Sequence, residues 1–115
     1  CLGFLLPISS FAEATYRTTR TEGSKSFDMG INQLNNIGIK HYSLNELDRT
    51  DESLKKATNL ENTDPSLGVI SFNRALVLHR LNQSKEAIKY FNLAKKYARG
   101  DIMILNSQLL KNYTN

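Results

Sequence analysis

A chain of 115 residues, of which 40% are hydrophobic, has material for one core and therefore one domain. Its formal charge of +4 suits anionic partners as well as simple solubility, and no apolar run reaches the roughly 18 residues of a membrane-spanning helix. Cys1 is the single cysteine, which excludes a disulfide framework, a thiolate zinc site and a cysteine nucleophile from the body of the chain.

Residues 1–11, CLGFLLPISSF, are mostly apolar and uncharged. Ala12, Glu13 and Ala14 follow, and then a polar run over residues 15–25. An apolar stretch of about 7 to 15 residues closing in a small-x-small site is the pattern of an export signal. Pro7, Ser9 and Ser10 would break a helix ahead of the cut. The expected product begins at Thr15, has 101 residues and, having lost Glu13, carries +5. Its expected location is periplasmic or secreted. Two other readings stay open. Cys1 is an acylation site that anchors the chain, although Leu2, Gly3, Phe4, Leu5 and Leu6 are unlike a polar tether; or the stretch is an apolar helix packed on the fold. Residues 15–26 read as a polar linker, and residues 27–113 as the folded domain.

Residues 34–60 lie over residues 71–97 without a gap, 37 positions apart. Asn36 meets Asn73, Leu44-Asn45 meets Leu81-Asn82, Gly38 meets Ala75, Leu54 meets Phe91 and Ala57 meets Ala94. Small residues that recur in this way fall where one helix must approach another closely. Leu34, Ile37, Gly38, His41 and Leu44 keep helical spacing, as do Leu54, Ala57 and Leu60 after a polar turn. In the second copy Ala75, Leu78 and Leu81 form the first helix face, and Ala87, Phe91, Ala94 and Tyr97 the second. Asp48 and Ser84 are expected to cap the second helix of each copy. Thr63, Asp64 and Pro65 separate the copies, with Pro65 at a first-turn position. Gly100 is expected to end the fourth helix and Asp101 to cap a fifth over residues 102–113. That helix, apolar at Ile102, Leu105 and Leu109, reads as a terminal cap over an open repeat face. The expected fold is all-α: a short α-solenoid of two helix-turn-helix hairpins, about residues 34–61 and 68–101, plus a capping helix.

The pattern resembles the tetratricopeptide repeat family. In the second copy Ala75, Asn82, Ala87, Phe91 and Ala94 fill the small residue, glycine-like turn, alanine, aromatic and alanine of that family's motif. The first copy keeps Gly38, Tyr42, Leu54 and Ala57 but has Thr50 where alanine is expected. The spacing of 37 exceeds the usual 34 or so, and Ser71 stands where an aromatic opens the motif. The resemblance implies a concave groove lined by the first helix of each hairpin. It assigns Asn35, Ile39, Tyr42 and Ser43 from one copy, and Phe72, Leu76, His79 and Arg80 from the other, to a partner-binding groove for a peptide or partner helix. The family subclass that clamps a terminal carboxylate is excluded, because Ile39, Leu76 and Phe72 replace its key polar residues. Asn36 and Asn73 are expected to tie helices together by hydrogen bonds.

Residues 46–64 sum to −3 and residues 74–99 to +6. This asymmetry reads as an interaction face for acidic protein or lipid headgroups, as head-to-tail self-association, or as solvated outer helix faces. The export pattern argues against nucleic acid, and membrane association is not favoured. His41 and His79 are the only histidines, and neither belongs to a hydrolase, metalloprotease or phosphate-loop motif. No enzyme activity, metal or cofactor is expected. Asn82-Gln83-Ser84 and Asn112-Tyr113-Thr114 are glycosylation sequons that count only in a eukaryotic secretory route. Two functional readings follow. One is an exported adaptor that binds a peptide or partner helix. The other is an assembly subunit that self-associates or completes a larger solenoid.

Overall fold

A computed structural model describes residue 15, residues 29–58 and residues 66–114, and its described residues contain helices and no strand. The helices are α1 Met29–Ser43, α2 Leu47–Thr58, α3 Leu67–Arg80, α4 Ser84–Lys96, α5 Ile102–Leu105 and α6 Gln108–Thr114. The expected signal segment, the linker beyond Thr15 and the Thr63-Asp64-Pro65 punctuation lie outside the described residues.

The repeat seen in the sequence is a repeat in backbone geometry. Asn45 has φ 60° and Asn82 has φ 61°, a left-handed conformation that asparagine tolerates better than most residues. Around each one the same bonds close the first helix. Glu46 N–H reaches the His41 carbonyl at 2.9 Å and Gln83 N–H reaches the Leu78 carbonyl at 2.9 Å. Asn45 N–H bonds the Tyr42 carbonyl and Asn82 N–H the His79 carbonyl, both at 3.0 Å. These paired bonds form a Schellman C-cap, made twice. The next helix begins two residues after each asparagine.

α1 packs on α2 and α3 on α4, while α2 against α3 joins the two hairpins. Gly38 lets α1 and α2 approach: a Cβ there would lie 2.8 Å from Leu54 Cδ2. Ala75 takes the equivalent place in the second hairpin and is fully buried. α3 is buried from Leu67 to Leu78, as its sequence LGVISFNRALVL, apolar on nearly every side, requires. It serves two cores. Val69, Phe72, Ala75, Leu76 and Leu78 pack with Ala87, Tyr90, Phe91, Ala94, Ala98, Ile104 and Leu110. Ile70 and Val77 pack with Ile31, Leu54 and Ala57.

Three local expectations are corrected. Ser84 is the first residue of α4 and not its cap; Gln83 holds the N-cap position, without a side-chain bond. Asp48 lies inside the first turn of α2, where its charge favours the helix dipole. The single closing helix is two helices. Asp101 caps the first, its carboxylate accepting from Met103 N–H at 3.0 Å, and Ser107 Oγ accepts from Leu110 N–H at 3.1 Å to start the second. The break changes which side chains face inward. Ile104 and Leu110 are buried, whereas Ile102 is 66% exposed.

Candidate partner-binding face

The eight groove residues divide into an enclosed set and an accessible set. Asn35 is buried and accepts a 2.8 Å hydrogen bond from Asn73 Nδ2, which ties α1 to α3. The bond uses Asn35 in place of Asn36, whose Oδ1 is buried without a partner. Phe72 has no exposed surface and meets the Phe91 ring edge-on at 6.1 Å. Leu76 is 1% exposed in the same core. The expectation that Phe72 and Leu76 line a partner-binding groove is therefore corrected. α3 has neighbours on both sides, so positions that would face an open groove face α4 and the C-terminal helices.

Ile39, Tyr42 and His79 are half-buried, and Arg80 is exposed. Tyr42 and Arg80 come together from the ends of α1 and α3. The Arg80 guanidinium lies 5.1 Å from the Tyr42 ring centroid, and its Nη2 donates to Asn45 Oδ1 at 2.8 Å. Asn45 is thus both the left-handed turn residue and the group that holds Arg80. Ser43 is exposed, with its hydroxyl donating to the Lys40 carbonyl at 2.7 Å.

His79 is drawn the other way. Its Nδ1 lies 2.8 Å from Tyr113 Oη, and the Tyr113 ring stacks on Phe91 at 4.8 Å. His79 therefore anchors α6. His41 pairs with Glu46 at 2.7 Å, and this hydrogen bond, aided by Arg49, holds the Glu46 carboxyl below its ordinary 4.5.

The polar network that sequence reasoning missed centres on Arg74. Its Nε pairs with Asp51 at 3.2 Å, and its Nη1 donates to Thr58 Oγ1 at 3.3 Å and to Tyr90 Oη at 2.5 Å. The guanidinium also lies 4.2 Å from the Tyr90 ring centroid. An arginine inside a continuous apolar helix was the available signal, since such a charge must find partners. No group of three or more His, Cys, Asp or Glu that could hold a metal occurs among the described residues.

Comparison with protein-family models, curated proteins and solved structures finds no match for this chain.

Proposed function

We propose that the chain is an exported adaptor of tetratricopeptide type, which holds a peptide or partner helix against the accessible ends of its first helices. The observation that carries this reading is the Tyr42–Arg80–Asn45 cluster. Two hairpins with the same turn geometry place an aromatic ring, a guanidinium and an amide on one edge, with Ile39 on α1 nearby in sequence. Aromatic and arginine side chains are the usual anchors of protein interfaces. The guanidinium is held over the ring by a neutral amide, which leaves its charge uncancelled for an acidic or carbonyl-rich partner.

Selection from a random-peptide display library tests it. Selected peptides should lose about 1 to 3 kcal/mol of affinity on Tyr42→Ala or Arg80→Ala, the range of interface anchors. Phe91→Leu, a core change, should leave the affinity of the folded protein intact. Peptides that bind equally well to the Tyr42 and Arg80 variants would defeat the reading. Export is tested separately by sequencing the N-terminus of the secreted product, expected at Thr15.

A second reading is an assembly subunit that associates with its own kind. The charged faces of α2 and α4 support it.

A further inference from the structure

α2 and α4 are equivalent helices of the repeat, starting at Leu47 and Ser84. Asp48, Arg49 and Glu52 stand on the first; the equivalent positions on the second hold Lys85, Glu86 and Lys89. All six are exposed. The sign of the charge is reversed at each position. Residues at i, i+1 and i+4 share one side of a helix, so α2 presents two acids flanking a base and α4 two bases flanking an acid.

Within one copy Arg49 aids Glu46, and the Lys89 ammonium lies 5.4 Å from the Tyr90 ring centroid. No described residue forms an ion pair with any of the six. Asp48 and Glu52 are like charges one turn apart, as are Lys85 and Lys89, and such i,i+4 pairs repel. Glu52 with Lys55 and Lys56, and Glu86 with Lys89, offset this repulsion within each helix, and the reversed patterns of the two helices remain complementary to one another.

We propose that this face binds a second copy of the chain, with α2 of one copy lying in parallel register on α4 of the other. Asp48 then meets Lys85, Arg49 meets Glu86 and Glu52 meets Lys89. A two-fold arrangement makes each pairing twice, since an isologous interface repeats every contact. Lys55 and Lys56 fall opposite Asn92 and Leu93, so this register opposes no like charges. Ile88, 43% exposed beside Lys89, adds apolar area. A nucleic acid or an anionic membrane would use the cations of α4 and leave the acids of α2 unexplained. The inference deepens the assembly reading and is independent of the Tyr42–Arg80 edge.

Sedimentation velocity of the full chain over a concentration series tests it. Self-association should be strong at low ionic strength and fade as salt shortens the screening length from about 10 Å at 0.1 M to about 3 Å at 1 M. Lys85→Glu with Lys89→Glu should weaken the dimer on the order of tenfold or more, since it makes like charges face one another. Adding Asp48→Lys and Glu52→Lys to that variant should restore it. All four sites are exposed, and circular dichroism should show each variant folded. A wild-type chain that stays monomeric at low salt overturns both this interface and the self-association form of the assembly reading. Dimers that ignore the charge reversal, or that the four-fold swap fails to restore, overturn this interface alone.

Discussion

Phe72, Asn73 and Arg74 are consecutive residues that face three different neighbours. Phe72 meets Phe91 of α4, Asn73 bonds Asn35 of α1, and Arg74 reaches Asp51 and Thr58 of α2 and Tyr90 of α4. Phe72→Ala should lower stability by about 3 to 5 kcal/mol, the usual cost of emptying an aromatic site in a core, with a matching fall in the denaturant midpoint. A groove residue would instead leave the melt unchanged. Glu46 supplies a pH dependence whose sign is set by its lowered carboxyl. The bond to His41 stabilises the fold fully above Glu46's ordinary 4.5, and this contribution is lost as pH falls through the lower folded value. Glu46→Gln should therefore flatten the acid limb of a stability-against-pH profile by lowering stability at neutral pH, while leaving the most acidic end, where Glu46 is already protonated, nearly unaffected. An unchanged acid limb would mean that other carboxylates dominate it.

At the scale of elements, the two hairpins depend on their turns and on close helix approach. Asn82 stands at φ 61°. Asn82→Gly should be tolerated, while Asn82→Val should cost about 1 to 2 kcal/mol, because a β-branched side chain crowds the left-handed backbone and lacks the local hydrogen bonding that lets asparagine occupy it; thermal melts of the two variants check the difference. Gly68 starts α3 against the end of the second hairpin, where a Cβ would run into the Tyr97 carbonyl oxygen. That obstacle is backbone and cannot swing aside. Gly68→Ala should destabilise by about 1 to 3 kcal/mol, the range of overpacking, despite the better helix propensity of alanine. A variant as stable as the wild type would show that α3 can shift along α4.

At the scale of the whole molecule, stability rests on one central helix shared by two cores, so damage in either hairpin should be global. Ala94 has no exposed surface and lies among Phe72, Phe91 and their neighbours. Ala94→Glu buries a carboxylate without a partner, at a cost of several kcal/mol, comparable to the whole stability of a small domain. Circular dichroism should show loss of helix throughout and not in α4 alone. The C-terminal helices take part in the same core through Ile104, Leu110 and the stacking of Tyr113 on Phe91.

The all-α class, the 37-residue repeat and the inward places of Leu54, Ala57, Ala87, Phe91 and Ala94 were legible in the sequence. Helix spacing, recurring small residues and the asparagine turns are local signals, and they act before the chain folds up. Which face of α3 remains open is not a local property. Phe72 and Leu76 read as groove residues because a repeat motif assigns a first helix one free side, yet α3 has neighbours all round. The break at Ser107, the pairing of Asn73 with Asn35 and the meeting of Arg80 with Tyr42 depend on which elements come together. Periodicity determines that a side chain points to one side of its helix; only the tertiary packing decides whether another helix or water lies there.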